Sequence, residues 1–269
     1  MSETPQHSQR VTLSDGRELT VSWAGATDTG RRRENNQDAF LAEHPLFLVA
    51  DGMGGHAGGE IASQLTIAEM RGLLDADVVT PGAIEAALGR ASEAIVGHPD
   101  ATDEGTGTTL TGVVLADIDG RSQWMSVNIG DSRVYLLRDG GIVQVTTDHS
   151  VVQELISSGR LSPEEAEGHP YSNVITRAVG ASELTVPDYV AIDPHDGDVF
   201  VICSDGLTKE LTDYGILHFI TSNPEPADAV DAMMKAALEN GGRDNVTIIV
   251  TRVNLERDDS SSTTDETIE

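Results

Sequence analysis

Two apolar runs in this chain end in the same way, and that ending limits what the chain can fold into. Leu46-Phe47-Leu48-Val49-Ala50 leads straight into Asp51-Gly52-Met53-Gly54-Gly55-His56, and Val199-Phe200-Val201-Ile202-Cys203 leads into Ser204-Asp205-Gly206. Short continuous apolar runs closed by turn formers read as strands covered on both faces. A buried strand that delivers an acid to its end is costly unless that charge is paired or metal-bound. The chain must therefore fold in layers, and it must gather its acids.

Other acids share the setting. Asp131 lies in Gly130-Asp131-Ser132-Arg133, Asp244 in Gly242-Arg243-Asp244-Asn245, and Asp38 closes Asn35-Asn36-Gln37-Asp38 ahead of a strand. A single aspartate in a turn ordinarily caps or forms it. Several such acids, two of them at buried strand ends, point instead to a cluster assembled by folding. No lysine or arginine run lies nearby as a general counter-charge, so divalent cations are the simplest partners. Donors that are all oxygen, aspartates plus the Gly52 carbonyl, favour Mg²⁺ or Mn²⁺ over zinc or copper. A contiguous calcium loop is missing, and His56, His149 and His169 are isolated from one another in sequence.

Charge narrows the partners. Forty-five acidic against 17 basic residues among 269 give a formal charge of −28. Such a surface repels nucleic acid and anionic membranes, so neither is expected. The chain has no apolar stretch of membrane-spanning length, and its first residues lack the apolar core of a secretory signal. Cys203 is the single cysteine. Set in an apolar strand, it reads as a packing residue and fits a reducing compartment. A cytoplasmic protein is expected.

Strand-like runs fall at 18–24, 39–50, 108–117, 123–129, 133–138, 187–192, 198–204 and 245–253, with Arg138-Asp139-Gly140-Gly141 turning a hairpin. Helical periodicity appears at 59–74, 81–96, 150–158 and 227–238. Strands arrive in neighbouring runs and the early helices stand together, which predicts an α+β layering rather than strict βαβ alternation. Residues 1–16 read as a flexible polar segment, 17–254 as one domain and 255–269 as a disordered acidic tail.

Taken in order, these segments resemble the metal-dependent protein phosphatases, the PPM family of type 2C, in their compact bacterial form. The resemblance rests on Gly30-Arg31-Arg32-Arg33-Glu34-Asn35-Asn36-Gln37-Asp38, on Asp51 to His56 with Gly59-Glu60, and on Gly107-Thr108-Thr109. It continues through Asn128-Ile129-Gly130-Asp131-Ser132-Arg133, Ser204-Asp205-Gly206-Leu207 and Gly242-Arg243-Asp244-Asn245-Val246-Thr247, spanning about residues 21–253. It implies a four-layer α-β-β-α sandwich, two antiparallel sheets flanked by helices, with the active site at one edge.

The resemblance also implies roles. Asp51 would bridge two Mn²⁺ or Mg²⁺ ions, Gly52 would give its carbonyl to one, and Asp205 and Asp244 would complete the other. Asp38 would act through metal-bound water, and Asp131 would hold a third ion, approached by Asn173 from a flap at about 149–187. A metal-activated hydroxide would hydrolyse phosphoserine and phosphothreonine on protein substrates while Arg33 grips the phosphate. The implied protein is a cytoplasmic monomer that opposes Hanks-type kinases. Its rivals are an inactive phosphoprotein-binding adaptor and a hydrolase of small phosphoesters. Two positions depart from common family patterns. Gln37 stands where many members carry Glu, and Met53 stands where some carry a histidine that protonates the leaving group. His56 is either a substitute acid or a structural group in its glycine turn. Asn245 is expected to orient Asp244 or its waters.

Overall fold

The structure is a computed structural model that describes residues 4–54, 57–76, 79–100, 105–166, 168–181 and 186–256. Gly55, His56 and the acidic tail from residue 257 lie outside them. The chain begins with β1 (Gln6–Thr12), β2 (Glu18–Asp28), β3 (Asp38–Glu43) and β4 (Leu46–Met53), then α1 (Gly58–Arg71) and α2 (Pro81–Val96). Next come β5 (Gly107–Thr108), β6 (Leu110–Ile118), β7 (Arg121–Ile129), β8 (Arg133–Arg138) and β9 (Gly141–Gln144). The short helices α3 (Val151–Ser157) and α4 (Pro163–Ala166) precede β10 (Asp188–Ile192) and β11 (Val199–Cys203). Three helices, α5 (Asp205–Thr208), α6 (Asp213–Ser222) and α7 (Pro226–Asn240), lead into the last strand, β12 (Val246–Leu255).

The strands form two antiparallel sheets, ordered β1-β2-β12-β11-β8-β9 and β10-β7-β6-β4-β3, with β5 paired to β4. Each sheet turns one face to its partner and the other to helices, which is why β4 and β11 are apolar without alternation: both of their faces are covered. Trp23, Phe47, Trp124 and Phe200 form a chain of ring contacts between the sheets, with centroids 5.4–6.2 Å apart. Outside them, α1 and α2 bury Ala62, Met70, Ile84 and Ile95 with Leu48 and Leu110. On the other side, α6 and α7 bury Ile216, Val230 and Met233 with Val201 and Ile248. This is the expected α-β-β-α sandwich. Among the described residues, no helix is long and apolar enough to cross a membrane.

Three expectations need correction. The N-terminal segment is not loose: β1 pairs with β2 from Gln6↔Ala24 to Thr12↔Glu18, and the Thr4 hydroxyl donates to Asp231 at 2.5 Å. Its side chains are almost all exposed, so no apolar alternation marks a strand that is held by backbone bonds at a sheet edge. The run 39–50 is two strands, not one, folded back at His44-Pro45 into the β3–β4 hairpin. The helix α6, capped by the Thr212 hydroxyl accepting from Gly215 N–H at 3.2 Å, has no counterpart in the sequence reading.

Candidate active site

At one end the seam between the sheets opens into a cleft of about 690 Å³. The acids reach it from separate elements. Asp38 begins β3 and stands directly opposite Asp51 of β4, so both carboxylates project from the same face of their sheet. Asp205 opens α5 at the end of β11, and Asp244 immediately precedes Asn245 and β12. Asp131 lies where the chain passes from β7 in one sheet to β8 in the other. Asp51, Gly52, Asp131, Asp205 and Asp244 line the cleft together with Arg33. Asp38 lies behind that wall, 8% exposed.

Asp38 ties the two sheets together. Its Oδ2 accepts from Ser204 Oγ at 2.8 Å and from Thr247 Oγ1 at 2.7 Å, both on the opposite sheet's side of the seam. Ser204 occupies the N-cap of α5 yet makes no capping bond, because its hydroxyl serves Asp38 and accepts from Thr247 N–H at 3.0 Å. Asp38 Oδ1 and Asp205 Oδ1 are buried without any hydrogen-bond partner. Orphaned carboxylate oxygens among other carboxylates are what a hard divalent cation would satisfy, so the donors present fit such an ion. Among the described residues, no three carboxylate, imidazole or thiol groups already converge on one point.

Two side-chain cations stand among the acids instead. Arg33 forks onto Asp244, with Nε 2.7 Å from Oδ1 and Nη2 2.9 Å from Oδ2. Lys209 Nζ lies 2.5 Å from Asp205 Oδ2 and 2.9 Å from Asp244 Oδ2. The sequence reading expected no lysine or arginine run as a general counter-charge; two single side chains supply it, Arg33, which that reading named, and Lys209, which it missed. The available signal was its spacing: α5 is a single helical turn, which places residue i+4 over residue i.

Electrostatics divides the acids into two groups. Burial, followed by repulsion from Asp38, Asp205, Asp131 and Asp244, pushes the Asp51 carboxyl well above its ordinary range. Burial also raises Asp38 to about 6, against the bonds from Thr247 and Ser204, and raises Asp131 to about 7. Asp205 moves upward for the same reason, with Lys209 opposing. Asp244 differs: burial works against its ionisation, but the bonds from Arg33 and Lys209 hold it below the usual carboxylate range.

The supporting shell is built from backbone contacts. Gly52 N–H donates to Gln37 O at 3.1 Å, and a Cβ on Gly52 would collide with Gly59 O. Beneath the site, Thr109 Oγ1 accepts from Asp51 N–H and Thr108 Oγ1 donates to Asp51 O, both at 2.9 Å. Asn245 acts differently from its expected part. Its side chain accepts from Gln37 N–H and donates to Thr29 O and Asn35 O, each at 2.9 Å, pinning the loop that carries Arg33. Only its backbone N–H reaches Asp244, at 3.0 Å to Oδ1.

The stretch expected as a flap brings Gly168, Ser172, Asn173 and Ile175 to the cleft lining, which Gln37 and Met53 share. The flap is anchored at His149, which is 6% exposed. Its Nδ1 accepts from Gly130 N–H at 3.1 Å, which puts the ring proton on Nε2 for the 3.0 Å bond to Asp188 Oδ2. Its carbonyl accepts from Thr176 N–H at 2.8 Å.

Comparison with known proteins places this architecture. A family model described as protein phosphatase 2C matches residues 27–241. The serine/threonine protein phosphatase PstP of Mycobacterium tuberculosis is 40% identical over 244 residues, which cover 87% of this chain. That match spans 45% of PstP, so the chain is about half the length of this relative. The protein phosphatase PhpP of Streptococcus pneumoniae is 36% identical over 86% of this chain and 96% of its own length. The crystal structure of M. tuberculosis PstP superposes with a TM-score of 0.80 at 39% identity, covering 87% of this chain and 99% of that one. The PstP catalytic domain in complex with two manganese ions gives 0.78 at 38% identity, covering 88% and 99%. With a family model matched over most of its length and a relative covered nearly end to end, the chain belongs to the protein phosphatase 2C family.

Proposed function

We propose that this chain is a divalent-metal-dependent phosphatase acting on phosphoserine and phosphothreonine in proteins, opposing Hanks-type protein kinases. The observation that carries the reading is the pair of buried, partnerless oxygens, Asp38 Oδ1 and Asp205 Oδ1, within a cluster of acids that line or back one cleft. The names of the relatives and the two manganese ions of the PstP catalytic domain support it. Asp51, the Gly52 carbonyl, Asp205 and Asp244 would hold two Mn²⁺ or Mg²⁺ ions, and Asp131, with Asn173 lining the same cleft, would hold a third. When bound, the ions supply the charge that acidifies water and offsets the charge of a phosphoryl group.

The chain's own residues do the rest. Asp38 sets the position of the seam behind Asp51 and presents an unshared oxygen toward the cluster. Arg33 stands on the cleft wall, where the guanidinium N–H groups not engaged by Asp244 can hold phosphate oxygens in their planar fork. Asn173 and Ser172, from the flap, line the same cleft. A monomer working in a reducing cytoplasm completes the reading, supported by the one buried cysteine.

The test is hydrolysis of phosphoserine, phosphothreonine and phosphotyrosine peptides and of small phosphoesters, with and without Mn²⁺. The expected result is Mn²⁺-dependent turnover of the phosphoserine and phosphothreonine peptides, reduced at least about a hundredfold by Asp205→Asn. Turnover confined to small esters, or peptide binding without turnover, would replace this reading with one of its rivals.

A further inference from the structure

Lys209 is one of only two lysines in the chain, and the other, Lys235, is a surface residue on α7. In a protein of formal charge −28, a lysine at the centre of the acid cluster stands out. Its backbone N–H donates to Asp205 O at 2.8 Å, closing the single turn of α5, and this fixes the stem so that the ammonium reaches Asp205. The same ammonium reaches Asp244, which arrives from the far end of α7. Arg243 holds the Lys209 carbonyl at 2.6 Å and grips Glu210 at 2.9 Å, so the backbone at this point is clamped on both sides.

We infer that Lys209 is a built-in counter-cation that occupies the place of one divalent ion between Asp205 and Asp244, and that this ion binds by displacing it. The inference rests on the metal-dependent reading above and extends it to how the metal is admitted. An ammonium within hydrogen-bonding reach of two carboxylates lies where a cation shared by them would lie, and two cations cannot share that space without strong repulsion. The exchange is balanced: two N⁺–H···O⁻ contacts are given up, two carboxylates transfer to the ion, and the protonated ammonium swings out into the cleft. Lys209 thus stabilises the metal-free fold and sets how much metal is needed to load the site.

Lysine acylation by an N-hydroxysuccinimide acetyl ester, quantified by peptide mass spectrometry, tests this on the wild-type chain with Lys235 as internal reference. In chelator, Lys209 should label far more slowly than Lys235. As Mn²⁺ is added, the Lys209 to Lys235 ratio should rise with the same midpoint as calorimetric Mn²⁺ binding. Lys209→Gln should bind Mn²⁺ at least about tenfold more tightly and melt lower in chelator, whereas Lys209→Arg, which keeps the charge, should not bind more tightly. Calorimetric Mn²⁺ binding with an unchanged labelling ratio, or Lys209→Gln with wild-type Mn²⁺ affinity, would overturn the inference and leave the metal site standing. Absence of any Mn²⁺ binding to the wild type would overturn both.

Discussion

Asp38 shows how a buried acid can be held in a fold at the expense of stability. Its side chain is satisfied on Oδ2 and orphaned on Oδ1, opposite Asp51 across a β-ladder. Directly opposed like charges weaken a ladder, and burial strengthens the repulsion. Asp38→Asn keeps an oxygen for Ser204 and Thr247 while removing the charge. The metal-free protein should therefore gain stability, on the order of 1–3 kcal/mol near neutral pH, while Mn²⁺-dependent activity falls. Denaturant melts in chelator, paired with peptide turnover in Mn²⁺, would check both halves, and a destabilised Asn variant would refute the repulsion argument. The acids themselves were legible in the sequence because apolar runs and glycines advertise them. Their partners were not: Asn245 reaches residues 29–37, more than two hundred positions away, and no local pattern records such a contact. Lys209 was readable only as a spacing on a helix one turn long.

Among the elements, the stretch expected as a flap is tied to the sheets in part through one buried imidazole. His149 receives Gly130 N–H next to Asp131, pairs with Asp188 at the start of β10, and accepts Thr176 N–H through its carbonyl. One residue thus joins the crossing that carries Asp131 to both ends of the flap. His149→Phe would leave the Gly130 N–H buried without an acceptor, a cost of about 1–3 kcal/mol. Amide exchange should quicken at Gly130 and across 150–176 while the core strands remain protected. Unchanged exchange there would mean the flap is held by its other backbone contacts, such as Thr108 with Val179. Elements with a strong apolar signature were predicted to within a few residues, and α2 runs from Pro81 to Val96 as expected. Those that failed lacked that signature. The strand β1 has polar side chains on both faces, and the β3–β4 turn falls inside an otherwise continuous strand-like run.

For the molecule as a whole, the gathered acids set how stability depends on pH and metal. In the unfolded chain Asp38 and Asp131 titrate near 3.8, and in the folded chain near about 6 and about 7. Between those values the folded state binds more protons than the unfolded one, so stability falls as pH rises from about 4 to about 7. The opposite contribution, from Asp244 held down by Arg33 and Lys209, is lost only as pH drops through its lowered folded value, below that window. Metal should reverse the slope, because ions that bind the deprotonated acids would stabilise the folded state through mass action. Scanning calorimetry in chelator should give a Tm that declines between about pH 5 and pH 7.5, and millimolar Mn²⁺ should raise Tm most at the upper end. A chelator profile that is flat or rises across this range would mean that burial and neighbouring charge do not raise these carboxyls in the fold. A Tm indifferent to Mn²⁺ would remove the reason for the cluster.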